Sequence, residues 1–169
     1  NNVTAIVYPD NTRVTMEYDA RNRLKVQKDA YGNATTYTYD NGDYLTAVTN
    51  RLGAKTVYEY DCFGNLILVK DARGNSTAYT YDELSRVTSV TNPLGDACTY
   101  EYDANGNVIR STDWGGNTST YVYDSMGRLI QTGLGEETVS YTYQNGLLTA
   151  VTDASGMVKY QYDTYGRLI

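Results

Sequence analysis

The 169-residue chain contains no histidine. That removes, in one stroke, the commonest general base near neutral pH and the commonest metal-binding side chain. Cysteine is nearly as scarce, with only Cys62 and Cys98. They lie 36 residues apart with no CxxC, so they make neither a zinc site nor a disulfide framework, and both read as ordinary small or buried residues. Proline stands only at Pro9 and Pro93, and tryptophan only at Trp114. No segment approaches the ~18 consecutive apolar residues of a membrane span, and no signal peptide opens the chain. Lys and Arg number 14 against 20 Asp and Glu, a net charge of −6. The lack of a basic run to neutralise phosphates argues against nucleic-acid binding, and we expect no nucleic-acid partner.

What is abundant is tyrosine: 19 residues, beside one Trp and one Phe. The stretch YTYD at 37–40 returns as YEYD at 58–61, YTYD at 79–82, YEYD at 100–103 and YVYD at 121–124. The second tyrosine of the pair falls at Tyr18, Tyr39, Tyr60, Tyr81, Tyr102, Tyr123, Tyr143 and Tyr162, in steps of 21 five times and then 20 and 19. Aspartate follows all of these but Tyr143, where Gln144 stands instead. The first tyrosine is replaced only in the earliest copy, by Met16. Such a period is the mark of a repeat architecture, here about eight copies over residues 1–169. The chain starts inside the pattern and stops just after a YGRL, which leads us to expect a fragment of a longer array.

Around the pair the unit reads roughly YxYDxxGxLxxVxDxxGNxT. Glycine three places after the Asp, at Gly64, Gly106, Gly127 and Gly166, marks a left-handed backbone position. Asn22, Asp43 and Ser85 fill it elsewhere, and Gly146 takes the role one place early in the seventh copy. A second turn signal follows about ten residues later, as in DAYG at 29–32 and DARG at 71–74. Two turns per unit leave two short strands, one rich in Thr and Tyr (NSTAYTYD, 75–82) and one aliphatic (NLILVKD, 65–71). Turns this tight join antiparallel neighbours, so each unit is a β-hairpin.

Alternation along a strand places both tyrosines of a pair on one face. Equivalent tyrosines are then expected about two strand spacings apart, ~10 Å, with a Leu or Val between them. The other face carries Thr38, Glu59, Thr80, Glu101 and Val122, smaller or more polar. Each buried ring would contribute about 1.5–3 kcal/mol, and the Asp after the pair would cap the turn. An antiparallel sheet of about sixteen strands accumulates twist, so a curved, spiral sheet is expected rather than a flat one.

The segments YVYDSMGRLI at 121–130 and YQYDTYGRLI at 160–169 resemble the signature of the YD repeats of Rhs (rearrangement hotspot) proteins. The same repeat occurs in bacterial toxin-complex subunits, in wall-associated toxins of Gram-positive bacteria and in teneurins. The resemblance implies an all-β array of tandem β-hairpin repeats, part of a hollow YD-repeat shell enclosing a C-terminal toxin or effector domain. It implies partners in the remainder of that shell and its cargo, and a secreted or cell-surface setting, bacterial by preference. Beyond the repeats there is no core motif, autoproteolytic aspartate or toxin domain to choose among the branches.

Other readings of the motifs are weaker. The aspartates Asp19, Asp40, Asp61, Asp82, Asp103, Asp124 and Asp163 suggest a calcium ladder, but equivalent turns lie too far apart to share an ion with oxygens at about 2.3–2.6 Å. The carboxylate pairs Glu59/Asp61 and Glu101/Asp103 occupy a slot that elsewhere holds Thr or Val, so no catalytic pair stands out. Sequons at Asn2, Asn33, Asn75 and Asn117 read as turn asparagines before Thr-rich strands. We therefore expect a non-enzymatic segment with no catalytic, cofactor or metal site. Its exposed edge strands invite self-association. The rival reading is an aromatic-repeat module that binds glycans or a cell-surface partner.

Overall fold

In the computed structural model, which describes residues 2–169, the chain is all-β: sixteen antiparallel strands ordered as in the sequence, with no helix among the described residues. It divides into two units, Asn1–Arg86 and Val87–Ile169. The first holds β1 (Ala5–Val7), β2 (Arg13–Tyr18), β3 (Leu24–Lys28), β4 (Ala34–Tyr39), β5 (Leu45–Thr49), β6 (Lys55–Tyr60), β7 (Leu66–Lys70) and β8 (Ser76–Tyr81). The second holds β9 (Val87–Thr91), β10 (Ala97–Tyr102), β11 (Val108–Thr112), β12 (Thr118–Tyr123), β13 (Leu129–Leu134), β14 (Glu137–Gln144), β15 (Leu147–Asp153) and β16 (Gly156–Lys159). The paired tyrosines close the even-numbered strands from β4 to β12, and the aliphatic residue after the turn opens the next strand.

Register explains the spacing LxxV. In the β4–β5 hairpin Tyr37 lies opposite Val48, Thr38 opposite Ala47 and Tyr39 opposite Leu45, which leaves Thr46 without a partner. The β6–β7 hairpin repeats this with Tyr58/Val69, Glu59/Leu68 and Tyr60/Leu66, leaving Ile67 over. The same shift recurs before Tyr18, Tyr102, Tyr123 and Tyr143. An extra residue in one strand is a β-bulge, which breaks the two-residue alternation once. Leu45 and Val48, three apart, thereby both reach the tyrosine face.

Exposure follows the pattern only in part. Thr38, Glu59, Thr80, Glu101 and Val122 are exposed, while the flanking tyrosines are half-buried. Among the described residues no large side chain is fully buried, so the free energy expected of a fully covered ring is an upper bound here. The face opposite the tyrosines is also less polar than expected. Ala47, the least exposed residue at 3%, pairs there with Thr38 and Val57, and Leu68 pairs with Ala78.

The seventh copy departs in a way that accounts for Gln144. Asn145 (φ 51°) and Gly146 (φ 83°) are both left-handed, and Gln144 pairs directly with Leu147. This two-residue turn is satisfied by its own backbone and has no use for the aspartate. A turn that the sequence reading did not single out joins Leu134 to Glu137 around Gly135 (φ 60°).

Candidate functional site in the repeated YD turn

Asp61–Asn65 shows how the YD turns that carry the aspartate are built. The Gly64 N–H donates to the Asp61 carbonyl at 3.1 Å, and the Asp61 N–H donates to the Asn65 carbonyl at 3.0 Å. This closure requires a left-handed residue at Gly64 (φ 88°), a conformation that costs residues with a Cβ roughly 1–2 kcal/mol. Asn22, Asp43 and Ser85 adopt it at the equivalent positions, with φ 63°, 71° and 60°.

The aspartate caps the turn with both oxygens. Asp61 Oδ1 accepts the backbone N–H groups of Phe63 and Asn65, each at 2.9 Å, and Oδ2 accepts the Asn65 side-chain amide at 2.9 Å. Asp103 with Asn107 repeats this, and so do Asp29 with Asn33 and Asp71 with Asn75 at the other ends of the strands. Where the fifth position is Arg, its Nε takes over the contact to Oδ2, for Arg23 on Asp19, Arg86 on Asp82, Arg128 on Asp124 and Arg167 on Asp163. In one turn the partners are exchanged, and the Asn92 amide donates to Asp96 Oδ2 at 3.0 Å. The Asn65 side-chain amide, then the Asn65 and Phe63 N–H groups, hold Asp61 below the usual carboxylate range. At Asp19, Asp82, Asp124 and Asp163 the backbone N–H of the arginine is the leading cause of the same depression.

In seven of the eight repeats, Tyr143 being the exception, the second tyrosine ties its hairpin to the one before. Tyr39 Oη donates to the Leu24 carbonyl at 3.0 Å, Tyr60 to Leu45 at 3.1 Å and Tyr81 to Leu66 at 2.8 Å. Tyr18, Tyr102, Tyr123 and Tyr162 do the same with Val3, Val87, Val108 and Leu148. The acceptor's place explains the need. The β3–β4 ladder pairs only Val26, Gln27 and Lys28, so the Leu24 carbonyl lies beyond its end. The phenol supplies the donor that the ladder does not. Burial of the ring pushes the Tyr39, Tyr60, Tyr81 and Tyr123 hydroxyls up from their usual titration range.

A third contact runs forward from the fifth turn position. The Arg23 guanidinium lies 4.6 Å from the centre of the Tyr39 ring, and Arg128 lies 4.8 Å from that of Tyr143. Tyr44 occupies the same position and instead stacks on Tyr60, centroids 4.9 Å apart at 27°. A Cβ on Gly64 would overlap the Tyr44 hydroxyl, so that glycine is fixed by its neighbour as well as by its backbone. Arg21 and Arg23 also both reach Asp43 of the next turn.

These contacts place the residues singled out in the sequence. The YD aspartates are turn caps whose oxygens face their own N–H donors. Glu59 is exposed on the face away from the tyrosines, while Asp61 lies within its turn, and Glu101 faces Arg110 at 3.9 Å. The Asn33, Asn75 and Asn117 amides are each held by the aspartate four residues earlier. Cys98 is buried as expected, whereas Cys62 stands exposed in its turn, and both are free thiols. The hydroxyl bond, the bulge and the forward contact escaped sequence reasoning. The LxxV spacing was the available signal for the bulge, and an Arg or Tyr after the turn residue, as at Arg23, Tyr44 and Arg128, was the signal for the forward contact.

Together these features define a tandem hairpin protein in which seven of the eight repeats are bound to the preceding strand through a tyrosine hydroxyl. The chain belongs to the teneurin YD-shell family, whose profile matches residues 71–169; the RHS repeat profile matches residues 1–34. No curated protein sequence matches it. Among solved structures it is similar to the TcdB2–TccC3–Cdc42 crystal structure, with 21% identity over 93% of this chain and a TM-score of 0.69. It is also similar to the Photorhabdus luminescens Tc holotoxin pore, with 20% identity over 96% of the chain and a TM-score of 0.70. The chain spans 10% of the length of each of those proteins. At this identity the likeness is one of fold.

Proposed function

We propose that the chain is a non-catalytic length of YD-repeat shell whose parent protein encloses a toxin or effector polypeptide. One observation carries this reading: the repeated residues are consumed in holding the sheet together. The aspartates cap turns, and seven of the eight second tyrosines donate to the preceding strand. A bulge at the same place in successive hairpins bends and twists the strands in the same sense each time, as a curving wall requires. The wall acts by separation, keeping an enclosed chain from solvent and from other molecules. The secreted or surface setting and the enclosed partner follow from that role by family likeness. No helix among the described residues is long and apolar enough to cross a membrane.

Tyrosines half-covered by aliphatic neighbours, with the second hydroxyl of most pairs already engaged, favour the wall over a glycan-binding surface. Limited proteolysis of the full gene product that carries this chain tests the reading. An internal polypeptide should resist digestion while the sheet is intact and become sensitive once urea opens it. Equal digestion in both conditions would sink containment, and glycan binding lost on Tyr→Ala changes along the tyrosine face would install the rival.

A further inference from the structure

The turns between the aliphatic strand and the next tyrosine strand form a row along one end of the strands in each unit. In the first unit these turns, each taken with one flanking residue, carry six cations, Arg13, Lys28, Arg51, Lys55, Lys70 and Arg73, against three aspartates. The net charge is +3 in a chain whose total is −6. In the second unit the corresponding turns carry Asp96, Asp113, Glu136, Glu137 and Asp153 and no cation, a net charge of −5. All of these second-unit acids are exposed.

Both rows also present large apolar side chains where a turn has no use for them. Tyr31 and Leu52 are 92% and 74% exposed, and Leu94 in the second unit is 88% exposed. They stand at the third position of a type I turn, which accepts most residues and is usually filled by small polar ones. Trp114 and Leu134 add exposed apolar surface to the acidic row. Successive tips recur about every two strands, roughly 10 Å, so two such rows share a common spacing.

We propose that the basic turn row of the first unit docks on the acidic turn row of the second unit of another copy of this chain, with the apolar tips interleaved. The contact pairs unlike units of the two copies. It is distinct from strand addition at the sheet edges and does not depend on what the sheet encloses.

Sedimentation of the full 169-residue chain tests it. The wild type should self-associate at low salt and dissociate as salt screens the rows. Arg51→Glu with Arg73→Glu should weaken association about tenfold, as should Glu136→Lys with Glu137→Lys. Mixing the two reversed variants should restore association, and circular dichroism should show all of them folded. A wild type that stays monomeric at low salt overturns the proposal. So does association that ignores these reversals, which would point to the strand edges. Association that responds instead to reversal of Asp43 and Glu83 would move the acidic partner to the YD turns and also overturn it.

Discussion

Tyr81→Phe removes one oxygen and leaves the ring in place. In the wild type that oxygen donates to the Leu66 carbonyl at 2.8 Å, across to the preceding strand. A single hydrogen bond of this kind contributes about 0.5–1.5 kcal/mol net. The site is half-buried, so water can partly replace the donor, and we expect a loss near 1 kcal/mol. For a chain of this size that corresponds to a fall in Tm of about 2–4 °C. Tyr31→Phe is the matched control, because Tyr31 is 92% exposed at a turn tip and should change stability by less than about 0.5 kcal/mol. Urea unfolding followed by circular dichroism measures both. Combining Tyr39→Phe with Tyr81→Phe, two repeats apart, should add the two effects within about 0.5 kcal/mol. Equal stability of Tyr81→Phe and wild type, or an equal loss in Tyr31→Phe, would refute the claim that the hydroxyl links repeats.

Three further outcomes follow from the turns. Asp61→Asn should cost about 1 kcal/mol by setting two amides against each other, and adding Asn65→Asp should recover most of it, as the natural Asn92/Asp96 exchange indicates; a double-mutant cycle in urea reads the coupling. Gly64→Ala should destabilise more than Gly74→Ala, because both have positive φ but only Gly64 faces the Tyr44 hydroxyl; equal melting temperatures would contradict this. The capped aspartates have folded-state pKa values below their unfolded ones, so their stabilisation is complete above about pH 4 and is lost as pH falls through the folded values. Melting temperatures flat from pH 5 to pH 2 would contradict it. For Tyr39, Tyr60, Tyr81 and Tyr123 the sign is opposite, with stabilisation present below about pH 10 and lost as pH rises through their raised folded values.

Much of this was legible because the repeat states it many times over. The hairpins, the tyrosine face and the left-handed turn positions each follow from residue type and spacing. The capping role of aspartate was readable as turn chemistry, although its second oxygen was not. Finding the Asp61 Oδ2 partner requires knowing that the chain returns at Asn65 with its side chain toward the carboxylate. The Tyr81–Leu66 bond joins residues fifteen apart on adjacent strands, and only the register brings them together. The aliphatic character of the face opposite the tyrosines was hidden by the bulge, which resets alternation in mid-strand. Strict two-residue counting puts Leu68 in phase with Leu66, on the tyrosine side, whereas the register sets it opposite Glu59.

Excision of residues 61–81 probes the repeat as the unit of structure. It removes one 21-residue beat and joins Tyr60 directly to Asp82, restoring a YD turn. Because, among the described residues, strands within each unit touch only their sequence neighbours, the shortened chain should fold with an unchanged β-sheet spectrum and unfold cooperatively. A disordered or aggregated product would show that the beat in the sequence is not the beat of the fold.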